Sequence, residues 1–143
     1  MIIIAVVVIA GAFGGWYFFL RGAAALPSSW VASRSANGVG EAYYLHWETN
    51  GDNLKGSIEF AYISKSTTQS VTEPVTGTYN SQDHSVTLTY SGITSPIIKG
   101  TIINNNTLTL SSNDPHMTDA ITFYAGDYNE YLHEINDLKG KLS

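Results

Sequence analysis

The side chains with the types for chemistry are four histidines, His46, His84, His116 and His133, and a scatter of carboxylates and serines. Transition-metal sites gather their ligands at short helical or strand spacings. No two of these histidines stand at i, i+2 or i, i+4, so no metal is expected. His46 and Glu48 alternate onto one face of a strand pattern, and Glu59 falls on the matching face of the next. Those types could carry general acid–base work, but the same alternation describes a solvated outer face with Glu48 opposite Lys55. The serines lack a Gly-x-Ser-x-Gly elbow, and there is neither a phosphate loop nor a dinucleotide fingerprint. Asn113-Asp114 and Asp119 offer oxygen ligands without an EF-hand pattern. No catalytic residue and no cofactor is expected, and the chain is read as non-enzymatic.

Composition narrows the classes further. The chain has 143 residues, no cysteine and a net charge of −5. Disulfides, thiolate zinc sites and lipid attachment through cysteine are excluded. From residue 22 onward, six basic residues face all twelve acidic ones. That balance argues against a nucleic-acid partner, which needs clustered Lys and Arg.

The longest-range organiser is the start of the chain. Residues 2–20 carry no charge and run through Ile, Val, Ala, Gly and Phe to Trp16-Tyr17. As a helix they span roughly 28 Å at 1.5 Å per residue, close to a bilayer's hydrocarbon core. The reading is a transmembrane helix or signal anchor over 1–21 and a linker over 22–29, followed by a β domain over 30–143. The bilayer is thus the first partner, and the domain's composition places it extracytoplasmically. The small-residue run Ala23-Ala24-Ala25 keeps open a secreted form cleaved near Ala25. A pilin-like filament subunit is the third reading of this segment. Gly11 and Gly15 form a GxxxG face that lets two membrane helices approach closely, so a homo-oligomer or a membrane-protein partner is expected there.

Beyond the linker, period-2 alternation predicts eight strands: Trp30–Arg34, Ala42–Glu48, Leu54–Ile63, Val71–Tyr79, Ser85–Ser91, Ile97–Ile103, Thr107–Ser111 and Ala120–Tyr124. Asn50-Gly51-Asp52-Asn53 predicts a hairpin with a type I′ turn, and Pro74 predicts an edge or a bulge. Tyr43, Leu45 and Trp47 share the apolar face with Leu54, Ile58, Phe60 and Tyr62. The form apolar-x-Gly-[Ser/Thr]-apolar recurs around Gly56, Gly77 and Gly100, which points to close packing in a strongly bent sheet. The period then changes. Asp127 with Glu130 predicts a helix start, and Tyr128, Tyr131, Leu132, Ile135 and Leu138 form one face of a helix over 127–139 that ends at Gly140.

Eight antiparallel strands followed by one helix resemble the calycin-type order of the lipocalins, with Ser28-Ser29-Trp30 where that family has Gly-x-Trp. Leu45-His46-Trp47-Glu48 and Asn50-Gly51-Asp52-Asn53-Leu54-Lys55-Gly56-Ser57 also resemble bacterial membrane-anchored β domains. The resemblance implies a mainly β, up-and-down, eight-stranded barrel-like domain and, as in lipocalins, an apolar-ligand pocket. Its candidate lining is Tyr43, Trp47, Phe60, Tyr62, Tyr90 and Phe123. The same aromatic volume can instead fill the barrel, leaving a binding or accessory subunit.

Overall fold

A computed structural model describes residues 26–90, 97–112 and 120–142. The expected membrane helix, its Gly11–Gly15 face and the first half of the linker lie outside the described residues. Among the described residues no helix is long and apolar enough to cross a membrane.

Eight strands follow in order: β1 (Ser29–Ala36), β2 (Val39–Asn50), β3 (Asn53–Ile63), β4 (Thr68–Asn80), β5 (Ser85–Tyr90), β6 (Ile97–Ile103), β7 (Thr107–Ser112) and β8 (Ile121–Ala125). Each pairs antiparallel with its neighbours, and β1 pairs back to β8, closing an up-and-down barrel. The helix α1 (Tyr128–Leu142) ends the described chain. The architecture is mainly β with one C-terminal helix, the element order that the lipocalin resemblance implies.

The turns set the registers. Asn37 and Gly38 have φ of 55° and 80° and join Ala36 to Val39, the geometry of a type I′ hairpin. At the second hairpin the sequence expectation needs correction. Asn50 pairs with Asn53, so the loop is Gly51-Asp52, and Gly51 alone has positive φ, at 62°. That is the pattern of a type II′ turn, in which glycine takes the first central position. The resulting register sets Glu48 directly against Lys55.

Among the described residues the strands differ in length. Strands β2, β3 and β4 have 12, 11 and 13 residues, whereas β5 to β8 have between 5 and 7. Only Val75–Asn80 of β4 pairs with β5. Among the described residues, the half from Thr68 to Pro74 pairs with β3 alone. Pro74 pairs with Ser57 of β3, and that register runs through it without a bulge. The β1–β8 seam is similarly short, closed by Trp30 with Ala125 and Val31 with Tyr124.

Two cores use the two faces of the sheet. Inside the barrel, buried residues from all eight strands pack together, among them Trp30, Leu45, Trp47, Ile58, Leu88, Ile98, Leu110 and Phe123. Outside, Val31, Ala42, Tyr44, Ala61 and Ile63 of β1–β3 are covered by Tyr131, Ile135 and Leu138 of α1. The helix starts where expected, with Asp127 Oδ1 accepting the Glu130 N–H at 2.9 Å. Two expectations about it are corrected. Gly140 lies within the helix, which continues to Leu142, and Leu132 is exposed. The buried stripe takes positions 131, 135 and 138, and Leu132 falls at its margin one residue round the helix.

Candidate functional site at the barrel rim

Cross-strand pairing stacks the inward-facing residues of β1 to β4 in rows. The deepest of three consecutive rows is Trp30, Leu45, Ile58 and Glu73; the next is Ala32, Tyr43, Phe60 and Val71; the rim row is Arg34, Glu41, Tyr62 and Gln69. Exposure is 0% at Trp30, Leu45 and Ile58 of the deepest row, and reaches 50% at Val71 in the next row and 44% at Tyr62 in the rim row. Among the described residues of β5 to β8 none pairs at this height, and Tyr62 and Val71 are exposed.

A charged cluster marks the rim. Arg34 Nε donates to Glu41 Oε2 at 2.7 Å, and the Tyr43 hydroxyl donates to the same oxygen. Burial by itself would lower the Arg34 pKa, but the adjacent carboxylate and phenol outweigh it and the guanidinium is held more firmly charged. The Tyr43 phenol is pushed well above its usual range, first by burial and then by its hydrogen bond to Glu41. It stays protonated and serves as a donor. Its ring packs edge-on against Phe60 at 5.5 Å and Phe123 at 6.0 Å between centroids.

The aromatic residues singled out from sequence are therefore divided. Tyr43, Phe60 and Phe123 come together under the rim. Trp47 lies deeper, 5.8 Å from Trp30 between ring centroids and 1% exposed. Tyr62 stands at the exposed rim beyond the packed interior. Tyr90 ends β5, and its side chain lies outside the described residues. Arg34 and Glu41 were missed by sequence reasoning, yet a signal existed. Centring a type I′ hairpin on Asn37-Gly38 pairs Arg34 with Glu41 by arithmetic alone.

The acid–base set is also dispersed. His46 Nε2 lies 2.9 Å from Ser57 Oγ on the outer face. Glu48 faces Lys55. Glu59 is drawn under the helix, where it accepts the Tyr128 hydroxyl at 3.3 Å. Ser57 and His46 have nucleophile–base spacing, but among the described residues no third group holds the other imidazole nitrogen, the element that sets the tautomer in catalytic triads. Elsewhere, His84 bonds the Tyr79 hydroxyl through Nδ1 at 3.1 Å. His133 is exposed on α1. His116, Asn113, Asp114 and Asp119 lie outside the described residues. No three His, Asp or Glu side chains converge among the described residues. A shallow polar hollow of ≈ 470 Å³ lies at the opposite end, beside Asp52, Tyr79, Gln82 and Ser85.

His46 carries a pH consequence. Burial holds its pKa below the ordinary histidine value, with Glu48 acting in the opposite direction. As pH falls through about 6.5, the unfolded chain takes up this proton before the folded one, so stability falls until the folded ring is itself protonated. Replacing His46 with Gln, which keeps a partner for Ser57, is expected to flatten the loss of stability below about pH 6.5. Urea midpoints compared on either side of that pH check it; identical slopes in both proteins refute it.

No protein-family model matches the chain, and no curated protein resembles it in sequence.

Proposed function

We propose that the chain is a membrane-anchored, extracytoplasmic, non-catalytic β-barrel domain that works as a binding or accessory subunit and recognises its partner at the rim. The observation that carries this reading is the contrast between the two parts of the barrel. Its interior is occupied by its own side chains from every strand, while Tyr62 and Val71 are exposed and Arg34 and Glu41 half-buried at the far ends of β1 to β4. Among the described residues, Arg34 engages Glu41 through Nε. Its terminal nitrogens then suit a carboxylate or main-chain carbonyl of the partner, with Tyr62 and Val71 supplying contact area. A photo-crosslinking residue placed at Tyr62 or Val71 in cells is expected to give discrete protein adducts that the same residue at Thr101 does not. Equal labelling at all three positions, or none at the rim, overturns the reading.

The anchor adds an oligomerisation element through Gly11 and Gly15. Full-length protein in detergent is expected to form oligomers that vanish on Gly15→Ile, because a bulky side chain keeps the two helix backbones apart. A monomer in both forms removes this element.

One observation favours a second reading, an apolar-ligand protein of lipocalin type. The indole N–H groups of Trp30 and Trp47 are buried without a hydrogen-bond acceptor, and orphaned donors in a core invite a bound water or a ligand's polar head. Native mass spectrometry of the full chain released from detergent distinguishes the two. A stoichiometric small molecule retained by the protein favours the ligand reading.

A further inference from the structure

The tether and the rim lie at opposite ends of the barrel. Leu26, the first described residue, packs against the interior core, and Ser28 accepts a backbone hydrogen bond from Trp47 at 2.9 Å. Only residues 21–25 separate Leu26 from the uncharged run that ends at Leu20. Fully extended, that stretch reaches roughly 20 Å. The barrel end that carries Leu26 is thereby kept close to whatever holds residues 2–20.

That end has an apolar feature on one side. Tyr124 is 61% exposed and Ile103 52%, the two most exposed large hydrophobic residues described. Both point outward, and both pair with Thr107, Ile103 across β6–β7 and Tyr124 across β7–β8. Tyr124 also faces Val31 of β1. The pair thus stands within about 15 Å of the point where the tether enters the sheet, taking about 4.8 Å per strand. The outward residues of β6, β7 and β8 from Ile97 to Tyr124 include Lys99 and, among the described residues, no carboxylate. Carboxylates also stand at this end: Asp127 follows Tyr124 by three residues, and Asp52 and Asp83 lie in the turns between β2 and β3 and between β4 and β5.

We propose that this end of the barrel is seated in the headgroup layer of the bilayer that holds residues 2–20, with Tyr124 and Ile103 as its lipid contacts. The inference rests on the anchor reading above. A tyrosine ring has an apolar body and a wet hydroxyl, which suits it to the interface, and an adjacent isoleucine adds apolar area. The seated barrel turns its rim of Arg34, Glu41 and Tyr62 outward, away from the membrane and toward a partner.

The chain has no native cysteine, so single sites can be labelled cleanly. The full chain carrying Tyr124→Cys, Ile103→Cys or, at the rim end, Val39→Cys is spin-labelled and reconstituted into phosphatidylcholine nanodiscs. Co-migration with the disc is scored first. Labels at 103 and 124 are expected to show higher oxygen than nickel-complex accessibility, with the order reversed at 39. A chain that co-migrates with the disc while 103 and 124 behave like 39 overturns the seating and leaves the anchor standing. A chain that fails to enter the disc overturns both.

Discussion

Gly56→Ala is expected to abolish the cooperative fold or to cost at least about 3 kcal/mol, a large share of the about 5–15 kcal/mol that holds a typical domain together. A Cβ at Gly56 would lie 1.8 Å from the His46 carbonyl oxygen. Gly77 and Gly100 have the same relation to Thr87 and Thr109, at 2.0 and 2.1 Å. Each faces inward opposite a large residue on the next strand: Trp47, Leu88 and Leu110 respectively. The adjacent strand therefore has to move its backbone, and a closed barrel passes that movement to every neighbour. Trimming the facing side chain is no remedy, since the atom in the way is a main-chain oxygen. Leu88→Ala is accordingly expected to leave Gly77→Ala just as unstable. Gly140→Ala is the reference substitution. Nothing lies within 4 Å of its Cβ position in α1, and alanine there is expected to add about 0.5–1 kcal/mol of stability. Thermal melts followed by near-ultraviolet dichroism compare the variants. A Gly56→Ala protein that melts with the parent would show that the sheet absorbs the strain.

Tyr131→Ala is expected to cost about 3–5 kcal/mol, in the range for removing a buried aromatic. Its ring is fully buried between α1 and β2, at 5.7 Å from Tyr44 and 5.3 Å from Tyr128 between centroids. The helix has few other anchors, so loss of this one is expected to free its first turns and expose Tyr44 and Val31. Tyr131→Phe behaves differently. The hydroxyl is buried and finds no hydrogen bond of ordinary geometry, although burial first and the nearby Glu59 second push the phenol's pKa upward. Removing an unsatisfied buried hydroxyl is expected to be neutral or stabilising by up to about 1 kcal/mol. Chemical-denaturation midpoints separate the two. A Phe variant as damaged as the Ala variant would mean that the hydroxyl contributes a bond to Glu59.

The strands and the helix start were legible because their signals are local. Alternation placed Tyr43, Leu45 and Trp47 on one face, and Asp127 with Glu130 marked the start of α1. The rim cluster was harder to see. Arg34 and Glu41 are seven positions apart in a stretch read as the end of a strand and a loop, and only the paired left-handed angles at Asn37-Gly38 bring them together. Ala61 and Ile63 were illegible for another reason. Alternation assigns them outward, and nothing local announces that a helix about seventy residues later will cover them.

By itself, the sequence determined an uncharged segment of bilayer length, a cysteine-free acidic domain, and eight strands followed by a helix, since charge, composition and periodicity are properties of neighbouring residues. The recurring glycines even pointed to the tight curvature. The tertiary structure decided whether the sheet closes. It also decided which aromatics fill the interior and which remain at the rim, and that the tether enters opposite that rim. Those are matters of register and closure between residues distant in the chain, and hydrophobic pattern alone is equally compatible with an open sheet and a closed barrel.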